Sequence, residues 1–236
     1  TVTVAAGSNF RNKVTSNVGE LHNQGLEFSL TYRPIVTKDW RWEVGYNLTY
    51  NDNKIDKLVA SDDPNYKILH GGLAVGDSGS DGIQAWAVGH PVSAYYTYQQ
   101  VYDQNGLPIE GEFVDRNGDG IINSNDRYFY KKADADVLMG FTSKLIYKNW
   151  DFSFSLRASL GNYAYNAVEA SNSNVEVERL YNGSSWHNVP TMVLEKKWNY
   201  VSTEDGLSDY FIQNASFLKC DNITVGYSSE KLFSLP

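Results

Sequence analysis

The sequence predicts an all-β protein, part of an antiparallel transmembrane β-barrel with long extracellular loops, and three observations carry that reading. Apolar and polar residues alternate with a period of two over segments about twice as long as an ordinary soluble strand. The clearest segments come as pairs joined by short polar turns, and long stretches rich in Gly, Asp and Asn separate the pairs. Aromatic residues make up 14% of the chain, with 17 Tyr and 6 Trp, against only 20% charged residues, a bias toward sheet.

Taken in order, residues 1–23 are polar and weakly patterned and read as a short strand followed by a loop. A strand over 25–33 puts Leu26, Phe28, Leu30 and Tyr32 on one face and Glu27, Ser29, Thr31 and Arg33 on the other. Pro34, which cannot donate to a ladder, is expected to end it. After the turn Ile35 to Asp39, a strand over 40–51 alternates Trp40, Trp42, Val44, Tyr46, Leu48 and Tyr50 with Arg41, Glu43, Gly45, Asn47, Thr49 and Asn51. Residues 52–136 read as a long loop with one extended piece, Val92 to Tyr102. A strand over 138–147 carries Met139, Phe141, Leu145 and Tyr147 on one face. Lys148-Asn149 is then short enough for a tight turn, with Asn supplying the positive φ. A strand over 150–161 follows, then a second long loop over 162–216 and a last strand over 217–227.

A strand of roughly ten residues, rising about 3.3 Å each and tilted near 45°, crosses the apolar band of an outer-membrane bilayer. On that reading Trp40, Trp42, Tyr46, Phe152 and Phe154 face lipid or its headgroup boundary, and Arg41, Glu43, Asn47, Ser155 and Arg157 face the lumen. Short turns on one side and long loops on the other suit such a barrel. A soluble β-sandwich alternates in the same way, but its Phe152, Phe154 and Leu156 would pack against a second sheet.

The net charge of −8 and pI near 5.0 argue against a nucleic-acid partner. No run approaches the 18 or so apolar residues of a membrane helix. The mean hydropathy of −0.44 is equally compatible with a barrel, whose lumen-facing residues dilute it. Cys220 is the single cysteine, so no internal disulfide forms. With neither a signal peptide nor an initiator Met, the chain reads as a processed or excised piece.

One stretch has the spacing of a cation loop. In DRNGDGIINSND, oxygen side chains stand at loop positions one, three, five, nine and twelve: Asp115, Asn117, Asp119, Asn123 and Asp126. Gly120 falls at the sixth position, where the backbone turns sharply, and Ile121 at the seventh offers its carbonyl. These hard donors predict a structural calcium ion, and the competing reading is a solvated Asx/Gly turn. The final Asp makes the loop similar to a dockerin-type loop. Catalysis has no comparable support: His22, His70, His90 and His187 are scattered, and Glu176 with Glu178 or Asp62 with Asp63 read as solvated loop acids. Tyr95, Tyr96, Tyr98 and Tyr102 suit either a sugar-stacking surface or packing within the sheet.

Further stretches carry a family likeness. NVGELHNQGLEFSLTYRP, DWRWEVGYNLTYNDNKI, VGHPVSAYYTYQQVY, FVDRNGDGIINSNDR, and the pair YKNWDFSFSLRASLGNYAYN and SFLKCDNITVGY follow one another over nearly the whole chain. In these the sequence resembles the C-terminal barrel portion of the SusC/RagA-type TonB-dependent outer-membrane transporters of Bacteroidetes. The resemblance implies a 22-stranded barrel in the bacterial outer membrane, with an N-terminal plug, a SusD-like lipoprotein as cap and TonB as energy source. It implies import of a glycan, or else a peptide, by a protein that is not an enzyme. Lys219, Cys220 and Asp221 depart from the family's usual Arg, apolar and basic residues.

Residues 1–236 thus read as a partial barrel domain, with the plug and final strands outside the chain. A wall with two open edges cannot stand alone in lipid, so a larger whole is expected. The alternative is a soluble, secreted, calcium-braced β-sandwich that binds carbohydrate through exposed Tyr and Trp.

Overall fold

Alternation sustained over more than ten residues favours a pleated strand with two unlike faces, and five such strands organise the computed structural model. It describes residues 2–3, 13–14, 19–58, 65–72, 82–172, 191–196 and 203–229. The strands are β1 (Val2–Thr3), β2 (Lys13–Val14), β3 (Glu20–Val36), β4 (Trp40–Lys57), β5 (Lys67–His70), β6 (Gln84–Ala87), β7 (Ala94–Thr97) and β8 (Gln100–Tyr102). They continue with β9 (Pro108–Phe113), β10 (Tyr128–Lys132), β11 (Val137–Tyr147), β12 (Trp150–Leu160), β13 (Tyr163–Tyr165), β14 (Ile212–Asn214) and β15 (Phe217–Tyr227). The five long ones form a single antiparallel sheet in the order β15-β12-β11-β4-β3, open at both edges among the described residues.

Four details differ from the sequence reading, the first being that β3 starts at Glu20, not at Gly25, on residues that read as loop. Pro34 does not end β3: among the described residues this edge strand pairs with β4 alone, and its register shifts between Tyr32 and Ile35, so Pro34 sits in an irregularity where no ladder donor is missed. β4 runs six residues past the expected Asn51, because its polar end stays paired with Glu20 to Gly25 of β3 although the apolar alternation has stopped. In the β11–β12 turn the positive φ, 51°, belongs to Lys148 and not to Asn149. A turn of type II′ needs a positive φ only at its first central residue, and Lys148 holds that position.

The register aligns like faces across the wall. One row is Trp40, Tyr147, Trp150 and Tyr227, with ring centroids 4.2 Å apart for Trp40–Tyr147 and 4.8 Å for Trp150–Tyr227. Above it come Trp42, Leu145, Phe152 and Val225, and farther up Leu30, Tyr46, Phe141, Leu156 and Cys220. Ser143 is the polar intruder on this face, and the Trp42 indole Nε1–H donates to its Oγ at 3.0 Å. The other face carries Asn47, Gly140, Arg157 and Lys219 in one row. There Arg33 pairs with Glu43 at 2.7 Å and Arg157 with Asp221 at 2.9 Å. Asp221 is an extra residue in β15, since Leu156 faces Cys220 while Ser155 faces Asn222. The bulge keeps Cys220 on the apolar face and frees Asp221 to reach Arg157 on the polar one.

The two stretches expected to be long loops pack together instead. From the first come a four-stranded sheet, β10-β7-β6-β5, and the pair β8-β9; from the second come β13-β14 and the short helix Ala167–Asn172. Ile83, Tyr95, Tyr98 and Phe113 of the first stretch share a core with Leu207 and Ile212 of the second. Tyr98 bridges to Ser208, and the Tyr128 hydroxyl donates to Asp209 Oδ2 at 2.7 Å; burial first, then this bond, raises that phenol's pKa. The residues 176, 178, 62, 63 and 187 singled out from the sequence lie outside the described residues.

Candidate functional site

The first functional feature is the wall itself. Its apolar face is bare: Leu26 is 64% exposed, Leu218 71%, Ile223 67% and Phe152 40%. Among the described residues no second sheet packs on Phe152, Phe154 or Leu156, the packing that a sandwich requires. Trp40, Trp42, Tyr46, Phe152 and Phe154 lie on this face, and Arg41, Glu43, Asn47, Ser155 and Arg157 on the opposite one. From Trp40 to Tyr50 the strand climbs about 33 Å, which at a 45° tilt projects to about 23 Å, close to the apolar band of an outer-membrane barrel.

The second feature is the loop Asp115 to Asp126, which ends in a 3-10 turn, Ser124–Asp126, capped by Asn123. Asp126 is fully buried; its Oδ1 accepts from the Arg116 and Asn117 amides at 3.0 and 3.3 Å, and its Oδ2 from the Asn123 amide at 2.9 Å. The Asn123 amide contributes most to holding its carboxyl below the usual carboxylate range, with the Asn117 and Arg116 amides adding to it. Asp115 accepts from the Gly118 and Gly120 amides at 2.6 and 2.8 Å, Asn117 from Asp119, and Asp119 from Ile121. Gly118 and Gly120 have positive φ, 74° and 80°, as the sharp turn demands. The cation-type residues are thus gathered on one loop as an Asx-turn network. Among the described residues no three His, Cys, Asp or Glu side chains converge as a metal cluster.

The third feature was not legible in the sequence. His90 stacks on Phe129, ring centroids 3.6 Å apart, and a cleft opens on each side of the pair, of about 430 and 530 Å³. The larger is lined by Lys67, Arg127, Tyr96 and Asn125. The Arg127 guanidinium lies 4.6 Å from the Tyr96 ring centroid and donates to the carbonyls of Gly82 and Tyr96; the Lys67 ammonium lies 5.4 Å from the same ring. Burial first, then Lys54 and Lys67, lower the pKa of His90. The signal for this cleft was the aromatic run Tyr128 to Tyr130, but three residues do not specify a partner element.

The tyrosine cluster resolves toward packing. Tyr95, Tyr96 and Tyr98 are buried; Tyr98 stacks on Phe113 at 4.8 Å and the Tyr95 hydroxyl donates to the Tyr163 carbonyl at 3.1 Å. Tyr102 alone of the four is exposed. Of the histidines, His22 lies exposed on β3 and His70 packs on Trp86.

No family model matches the sequence. The chain is 47% identical over 232 residues to TonB-dependent receptor SusC of Bacteroides thetaiotaomicron, covering 98% of this chain and 23% of that receptor. It is 27% identical to TonB-dependent receptor P3 of Formosa agariphila, covering 92% of this chain and 22% of that one. Among solved structures, the RagAB peptide transporter superposes with a TM-score of 0.63 at 19% identity, over 93% of this chain and 24% of that chain. The chain therefore spans about a quarter of the length of the proteins it matches.

Proposed function

Because the chain belongs to the SusC/RagA-type TonB-dependent receptors of the outer membrane, we propose that it forms part of the wall and outer mouth of a nutrient importer. The cargo is an oligosaccharide, or else a peptide. A SusD-like lipoprotein closes the mouth, and TonB supplies energy through parts of the receptor beyond this stretch. The observation that carries the reading is the bare apolar face ending in the Trp40–Tyr147–Trp150–Tyr227 row. Such a face needs an apolar neighbour, which hydrocarbon supplies, and its aromatic end matches a headgroup girdle. The open edges at β3 and β15 need further strands, because unpaired backbone groups in hydrocarbon cost several kcal/mol each. Import needs no covalent step, so the polar face serves as lumen and the folded loop unit as mouth.

The test is uptake of labelled oligosaccharides and peptides by cells carrying or lacking the intact receptor gene. Accumulation of one cargo class that requires the receptor and stops with an uncoupler is expected. Equal, uncoupler-insensitive accumulation in both strains would sink the reading.

The Asp115 to Asp126 loop takes, on this reading, a structural calcium ion through Asp115, Asn117, Asp119, Asn123, Asp126 and the Ile121 carbonyl. Donor type and spacing support it, as does the backbone turn at Gly120. A carboxylate oxygen that accepts one amide keeps lone-pair capacity for a cation. Calorimetric titration of calcium into the receptor and its Asp119→Ala variant should give heat for the parent alone; equal heats from both would leave only the Asx turn.

A further inference from the structure

The larger cleft beside His90 has a charge unlike that of the chain around it. In a protein of net charge −8, it is lined by Lys67 and Arg127, with Asn65, Asn125 and the rings of Tyr96, His90 and Phe129, and no described carboxylate lines it. Lys54 adds a third cation: its Cε is 3.9 Å from where a Cβ on Gly89 would lie, and its field, like that of Lys67, disfavours protonation of His90. Asp52 shares the strand face of Lys54 but does not line the cleft.

The position of this charge follows from the pleat. β4 pairs without slippage from Gly25–Asn51 to His22–Lys54, so Lys54 falls on the face that carries Leu48 and Tyr50, four residues beyond the last apolar side chain. Four residues at about 3.3 Å, tilted near 45°, rise about 9 Å above the apolar band, the level of lipid headgroups. The aromatic row at Trp40 marks the opposite boundary. Lys54 therefore stands where the wall leaves the bilayer, on its lipid side, and backbone bonds between Ile55 and both Gly89 and His90 put the cleft at the same level.

We propose that the cleft lined by Lys67, Tyr96, Arg127 and Phe129, with Lys54 beside it, binds a phosphate group of an outer-leaflet lipid headgroup. Lys54 supplies an exposed ammonium donor, and Lys67 one that also bonds the Asn65 carbonyl at 3.3 Å. Arg127, fixed by the Gly82 and Tyr96 carbonyls, contributes its charge from behind. A phosphorylated solute presents the same group, but it gives no reason for the cations to lie at headgroup level. The proposal rests on the membrane placement of the wall.

The test uses the intact receptor in phosphatidylcholine nanodiscs doped with labelled phosphatidic acid, whose headgroup is a bare phosphate monoester. Lipid retained by the receptor is counted after extraction into detergent. Retention of phosphatidic acid above phosphatidylcholine is expected, falling about fivefold in each of Lys54→Gln and Lys67→Gln. Lys38→Gln, which removes the same charge at the opposite turn, should leave it unchanged. Equal retention of the two lipids, or equal loss in all three variants, overturns the proposal. Complete displacement by glucose 6-phosphate with no lipid preference would assign the cleft to a soluble phosphate and overturn the lipid source. Failure of the membrane reading would look different, since the receptor would then not enter nanodiscs at all.

Discussion

Three backbone amides, from both ends of the 115–126 loop, converge on the buried carboxylate of Asp126. The native hydrogen bonds favour the ionised form, so the folded pKa lies below the unfolded one. The contribution to stability is therefore fully present above the unfolded value, about 3.9, and is lost as pH falls through the lower folded value. Hydrogen exchange at the Arg116, Asn117 and Asn123 amides, corrected for intrinsic rate, should accelerate across that acidic window. Asp126→Asn, which keeps the shape and removes the charge, should exchange on the order of tenfold faster at neutral pH and lose the acid dependence, because a charged acceptor binds amides more strongly than a neutral one. Exchange as slow in the variant as in the parent would mean that the amides are protected by the turn alone.

At the scale of elements, the wall's alternation decides which strands the sequence announces. β11, β12 and β15 each run over eleven residues with one apolar face, and their ends fall within a residue of where the periodicity puts them. β4 was underestimated because residues past Asn51 keep their pairing after the alternation stops, with Ile55 as their one apolar side chain, and Pro34 was overread because an edge strand has no partner on one side. The strands of the loop unit are three to six residues long, and β7 is buried on both faces, Ala94 through Thr97. Such a strand shows no alternation, so neither this sheet nor the cleft it forms with His90 could be read from the sequence. The spacing of the Asp115 loop was legible, since a turn of that kind is local. One cross-strand pair tests the wall directly. Ser143→Ala leaves the Trp42 indole N–H without its acceptor on the apolar face, at a cost of about 1–3 kcal/mol. Adding Trp42→Phe, which removes the orphaned donor, should recover much of that loss in urea unfolding of the bilayer-embedded receptor. Strict additivity of the two substitutions would mean the bond contributes nothing.

For the whole molecule, the decisive asymmetry is between neighbours on one strand. Leu156 lies near mid-height of the apolar face, between Phe141 and Cys220; Ser155, one residue earlier, faces Thr142 and Asn222 on the polar side. If the apolar side meets hydrocarbon, Leu156→Arg places a charge near the bilayer midplane and costs about 2–4 kcal/mol, whereas the cost at an interface is about 0–1 kcal/mol. Ser155→Arg puts the same charge among polar groups in the lumen, where no such depth-dependent cost applies. The expected order of destabilisation is therefore Leu156→Arg well above Leu160→Arg, with Ser155→Arg least, measured by urea titration of the receptor folded into vesicles. Leu160 belongs to the upper row with Tyr50 and Val137, near the headgroups, so its intermediate place tests depth and face together. A soluble sandwich would reverse part of this order: burial between sheets would make Leu160 and Leu156 equally intolerant of charge, with no dependence on distance from the aromatic row. Loss of the Leu156–Leu160 difference would thus count against a bilayer even if both substitutions were costly, because only a slab of hydrocarbon grades the penalty along the strand.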